Sequence, residues 1–187
     1  GVGRNDIAPI YSPKFVPLGV AVLFDWMTAD HPMVVLEIDG DARAYPMAML
    51  TIHEIVNDTV AGEPIVVTYC PLCNSAIVFD ARLDGMELEF GTSGNLRNSD
   101  LVMYDRQTES WWQQFLGEAI VGELTGKKRC CRPGWKPMAI LKNGFPTALC
   151  SIPPVRSGAM APTPMSDKTP PDGHSCSAAR CPKTCRR

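Results

Sequence analysis

Apolar and polar positions alternate or cluster along most of this chain in ways that mark strands. Pro9, Pro13 and Pro17 are spaced against any helix, so residues 1–17 read as an extended lead-in. Val34-Val35-Leu36-Glu37-Ile38 predicts a strand, Asp39-Gly40 a tight hairpin turn, and Ala42 to Tyr45 the antiparallel return. Pro46 suits the first turn of a helix. Met47, Leu50, Ile52, Ile55 and Val56 form one broad apolar face, which predicts a helix ending near Asn57-Asp58. Ala61-Gly62 leads into a strand over 64–69, and a second strand spans 76–82. Asp84-Gly85 turns the chain into Met86 to Phe90, where apolar and acidic residues alternate as in a half-buried strand. Gly91 to Ser99 reads as a polar loop and Leu101 to Tyr104 as a strand. Trp111, Trp112, Phe115 and Leu116 predict a short helix or an aromatic corner, and Ala119 to Val121 a last strand. Hairpin connections dominate, so the pattern predicts an α+β fold, mainly antiparallel strands and hairpins with one or two short helices.

The pattern stops near residue 127, and composition changes there. Residues 1–127 hold 18 acidic and 7 basic side chains, a net of −11, whereas 128–187 hold 2 acidic and 11 basic, a net of +9. Their sum is the −2 of the whole chain, so the average hides two unlike parts. Six of the 8 cysteines and ten of the 17 prolines lie beyond residue 127. A basic, Pro-rich tail can be an arm for nucleic acid or a membrane surface, and Cys176, Cys181 and Cys185 with His174 can be read as a zinc knuckle. A shift of reading frame accounts for the tail better than either. Read one base back, Cys130-Cys131 must encode Leu, Trp135-Lys136 Glu, and Met138-Ala139 Gly, and the surrounding codons can spell an acidic, aromatic segment. The expected organisation is a β-rich domain over 3–127, incomplete at its C-terminal end, and an out-of-frame, disordered tail over 128–187. No apolar run approaches the roughly 18 residues that span a bilayer, and no nucleic-acid partner or nucleotide cofactor is expected. The chain opens on Gly1, so a signal segment can precede it.

The candidate chemistry centres on Cys70-Pro71-Leu72-Cys73, between the apolar runs Ile65 to Tyr69 and Ala76 to Phe79. Two thiols at a strand-to-strand corner can close a disulfide, hold a soft metal or attack a substrate. His53, on the predicted helix, is the histidine nearest to the pair in sequence. Cys70, Cys73 and His53 make a three-ligand soft site suited to copper or zinc, with an open fourth position. Glu54 or Asp58 would orient the imidazole. Two polar loops follow, one with Asn98 and Asp100 and one with Asp105 and Arg106. They can bind a small polar ligand, or Asp105 and Arg106 can simply cap a turn. Gly91-Thr92-Ser93-Gly94 lacks the Gly-Lys-Ser/Thr of a Walker loop.

Several segments together carry a family resemblance. They are Asp6 to Phe15, Ala42 to Pro46, His53 to Asp58, Val67 to Cys73, Ala76 to Asp80 and Asn98 to Ser110. In these the chain resembles the prokaryotic family known as domain of unknown function 3179, over roughly residues 3–127. It departs from the family at Thr51-Ile52, commonly Asn-Trp before the histidine, and in the tail, where members continue with an acidic, aromatic segment. The resemblance implies a fold and a site rather than a reaction. It also implies export from the cytoplasm, which permits a disulfide at Cys70–Cys73.

The preferred expectation is a metal-binding, non-catalytic or accessory role. The competing expectations are a thiol–disulfide oxidoreductase and an exported binding module with a structural disulfide. An attacking thiol needs its pKa lowered by a cation or a helix N-terminus, and no Lys or Arg lies within eight residues of Cys70.

Overall fold

The computed structural model describes residues 2–21, 23, 24, 27, 31–129, 136–138, 148–152 and 154. The strands are β1 (Ile10–Tyr11), β2 (Lys14–Pro17), β3 (Met33–Ile38), β4 (Asp41–Pro46), β5 (Ile55–Val60), β6 (Glu63–Cys70), β7 (Ser75–Asp80), β8 (Arg82–Leu83), β9 (Met86–Glu87), β10 (Phe90–Arg97), β11 (Asp100–Asp105), β12 (Trp111–Gln113), β13 (Glu118–Val121), β14 (Lys136–Met138) and β15 (Leu149–Ile152). Two short helices, α1 (Leu18–Ala21) and α2 (Met47–His53), complete an α+β fold.

The sheet β1-β5-β6-β7 is the centre of the molecule. Its β6 run Pro64 to Cys70 is buried throughout, because both faces of the strand are covered. Alternate residues Ile65, Val67 and Tyr69 pack on Leu36, Tyr45, Met49 and Leu50 from β3, β4 and α2. Val66 and Cys70 face the other way, against Phe90, Leu101, Met103 and Trp112. Those residues belong to the antiparallel sheet β10-β11-β12-β13. The third sheet runs β14-β3-β4-β15-β2, and β15 lies parallel to β4. Strands β14 and β15 come from the segment after residue 128, where the sequence pattern marks no element. The out-of-frame reading of that segment otherwise falls outside the described residues.

Two local expectations are corrected. The helix ends at His53 rather than near Asn57-Asp58. Glu54 leaves it at φ 57°, and its N–H still bonds Leu50 O. Ile55 and Val56 then sit on opposite faces of β5, one in each core. Their apolar spacing fits either period, and β-branched side chains packed between two sheets favour the strand. The polar stretch Gly91 to Ser99 is not a loop but mostly strand β10, with a bulge between Thr92 and Asn95. Only Asn98 and Ser99 turn the chain, both at positive φ, 54° and 64°, as a two-residue hairpin demands. The bulge lets the lead-in segment approach closely: a Cβ on Gly94 would stand 2.1 Å from Val2 O. Trp111 and Trp112 lie in β12, and Phe115 and Leu116 follow in a turn.

Candidate functional site

The central sheet and the β10–β13 sheet bring two hairpin ends together. One is the β6–β7 connection Pro71 to Asn74, closed by Cys70 facing Ser75 across the ladder. The other is the Asn98-Ser99 turn that opens β11 at Asp100. Cys70, Cys73 and Asp100 place one ligand atom each within 4.8 Å of one another. Both cysteines are free thiols, Cys70 buried and Cys73 exposed.

The contacts show how the corner is held. Cys70 Sγ donates to Ser99 O at 3.7 Å. Cys73 Sγ is 3.6 Å from Asp100 Oδ1 and 3.8 Å from Cys70 O. Its shortest contact is Ser75 Oγ at 3.0 Å. Asp100 is buried, and its Oδ2 accepts the Phe115 N–H at 2.9 Å. Behind the corner, the fully buried Gln114 joins Thr68 and Ser75. Burial, then the Cys70 thiol and the Asp100 carboxylate, push the Cys73 thiol up to about 11. Ser75 can offset this only by turning its hydroxyl proton from Gln114 to the sulfur.

The sequence-predicted residues divide clearly. Cys70, Cys73 and Asp100 come together, while His53 is not in their group. Its ring Nδ1 donates to Ala8 O at 2.6 Å, which ties α2 to the lead-in segment. The imidazole bonds Ala8 O rather than Glu54 or Asp58. Glu54 O accepts the Tyr69 N–H, and burial raises its side-chain pKa. Asp58 accepts from Tyr45 Oη at 2.7 Å and from Thr59 N, and burial raises its pKa too. Asn98 is an exposed turn residue. Asp105 caps the turn after β11, and Arg106 donates to Tyr11 Oη at 2.7 Å with its guanidinium over that ring. The sequence reading missed Thr68, Ser75 and Gln114. A signal for Thr68 was present: it is the polar residue inside an otherwise apolar strand, and a buried polar side chain is the informative kind.

Fold and site together define a strand-rich α+β domain with paired free thiols and a buried carboxylate at one corner. The chain belongs to the family described as protein of unknown function (DUF3179), whose sequence model matches residues 4–136. No curated protein and no solved structure matches it. Among the described residues, no helix is long and apolar enough to cross a membrane.

Proposed function

We propose that Cys70, Cys73 and Asp100 bind a thiophilic metal ion, zinc before copper, in a non-catalytic or accessory role. The observation that carries this is the convergence of three groups that ionise to anions, with ligand atoms within 4.8 Å of one another. Among the described residues none of their hydrogen-bond partners is a cation: they are backbone groups, Ser75 and one another. A bound cation would offset most of the negative charge of the cluster and reverse the upward push on Cys73, because metal binding favours the thiolate. Two thiolates with one carboxylate suit zinc; a monovalent copper ion prefers an all-sulfur or imidazole set. The exposure of Cys73 leaves a fourth position for water or a ligand from outside. Asp100 takes the third place that the sequence alone offers to His53. The raised pKa of Cys73 disfavours that exposed thiol as the attacking group of a thiol–disulfide exchange.

The test is metal content with a thiol count on the full chain, purified anaerobically and loaded with zinc. Cys73→Ser should lose one equivalent of zinc while the tail cysteines stay. Asp100→Asn should weaken binding about tenfold or more, and His53→Ala should leave it unchanged. No zinc lost on Cys73→Ser sinks the proposal. Two titratable thiols with a potential near roughly −270 mV would instead favour the oxidoreductase, and a stable disulfide the structural module.

A further inference from the structure

A chain of hydrogen bonds ties the thiol corner to the interior, and chemistry fixes its direction. Its inner end is the carbonyl Ile77 O, which accepts from Thr68 Oγ1 at 2.8 Å. With its proton spent there, Thr68 Oγ1 accepts from Gln114 Nε2 at 3.1 Å. The same amide nitrogen donates to a second carbonyl, Ser75 O, at 3.0 Å. Two acceptors thus face the nitrogen, so the amide oxygen faces the Ser75 hydroxyl. Ser75 Oγ donates to Gln114 Oε1 at 2.9 Å. Ser75 is left with lone pairs to offer Cys73 Sγ, 3.0 Å away, so the S–H donates to it.

This matters because Cys73 lies in an exposed turn and its other contacts are longer, at 3.6 and 3.8 Å. Ser75 is its closest partner, and Ser75 is oriented by a side chain with no solvent exposure. Gln114 comes from the turn after β12, in the sheet that also supplies Asp100. It therefore links the sheet holding the carboxylate to the hairpin holding the thiols.

We propose that Gln114, acting through Ser75, is the positioning residue that holds Cys73 Sγ opposite Cys70 and Asp100. This goes beyond the metal reading, since it applies to any use of the thiol pair; only the zinc measurement below rests on that reading. Because Gln114 acts through Ser75, removing either residue releases the same contact, and removing both releases it once.

The experiment measures iodoacetamide alkylation of Cys73 at one pH, located by peptide mass mapping on the folded, metal-free full chain. Ser75→Ala and Gln114→Met should each speed alkylation about fivefold, the loss of one ordinary hydrogen bond. The double variant should be no faster than Ser75→Ala alone, and Ser75→Thr, which keeps the hydroxyl, should match the parent chain. Gln114→Leu, which has no acceptor for the Ser75 hydroxyl, should act in the same direction and serves if the methionine variant does not fold. Unchanged or slower alkylation in a folded Gln114 variant overturns the proposal, and so does additivity in the double variant. On the metal reading, the same variants should bind zinc about tenfold more weakly. If the parent chain binds no zinc, that reading falls, and the alkylation rates still decide the role of Gln114.

Discussion

Asp100 and Asp105 stand at the two ends of one strand, β11, and both are all but excluded from solvent. Asp105 is saturated. Its Oδ1 accepts the Thr108 N–H at 2.6 Å and its Oδ2 the Trp112 Nε1–H at 2.8 Å, and the Thr108 hydroxyl reaches both oxygens at 2.9 Å. Among the described residues Asp100 has one such donor, the Phe115 N–H, and turns its other oxygen to a thiol. Burial of a carboxylate is costly unless hydrogen bonds repay it. The chain repays that cost in full at one end of the strand and in part at the other. The difference separates a carboxylate that builds the fold from one that is free to bind something.

Breaking the saturated end should have the largest effect. Asp105→Ala strands the buried Trp112 Nε1–H and the Thr108 N–H together, and should cost about 3–5 kcal/mol in urea unfolding. Asp105→Asn, which keeps one acceptor, should cost less. A loss for Asp105→Ala no greater than for Asp100→Ala would remove the distinction between the two ends.

The open end should respond to ligand instead. On the metal reading, zinc at a hundredfold excess over its dissociation constant should stabilise the parent chain by about 2.7 kcal/mol. The gain should shrink sharply in Asp100→Asn. A gain of equal size in Cys73→Ser would assign the zinc to other cysteines of the chain.

Near the Asp105 end lies a charge the fold does not satisfy. Arg129 is buried with its guanidinium over the Phe90 ring at 4.4 Å, and none of its three nitrogens has a hydrogen-bond partner among the described residues. Burial lowers its pKa to about 9, against the attraction of Asp80 and Asp105. Because the folded pKa is depressed, the folded state gives up its proton first as pH rises. The charge therefore costs stability at neutral pH, and the cost is relieved as pH rises through about 9. Arg129→Met should gain about 1–2 kcal/mol at neutral pH, and the gap to the parent chain should narrow between about pH 8 and about pH 10. A gap that stays constant over that range would show that Arg129 keeps its proton in the fold.

The residues explain what could be read in advance. Turns written in Asp-Gly, and strands written as apolar runs around Cys70, were legible because local chemistry and tertiary packing agree there. The α2–β5 boundary was not, because Ile55 and Val56 satisfy two periods and only the two covering layers choose between them. The β10 strand was hidden by its own glycines, one of which serves the close approach of Val2. The thiol pair declared itself by spacing. Asp100 was visible only as part of a polar loop, since its approach to Cys73 depends on two sheets meeting. Gln114 gave no signal at all: its partners Thr68 and Ser75 lie 46 and 39 residues away in the chain.

The smallest expected effect is the most discriminating. In Asp100→Asn the amide oxygen can still accept the Phe115 N–H, so the structural bond at 2.9 Å survives. What is lost is a negative charge beside Cys73, and that charge has no cationic partner among the described residues. Without metal, the substitution should therefore change unfolding free energy by less than about 1 kcal/mol, with the sign toward stability. With zinc, the same substitution removes a ligand and the sign should reverse. Asp105→Asn offers the control: it should destabilise whether zinc is present or not, since its carboxylate serves the turn, Trp112 and the Arg129 charge. A carboxylate whose removal changes sign with the metal is part of a site. One whose removal costs the same in both conditions is part of the fold, and that result for Asp100 would make both ends of β11 structural.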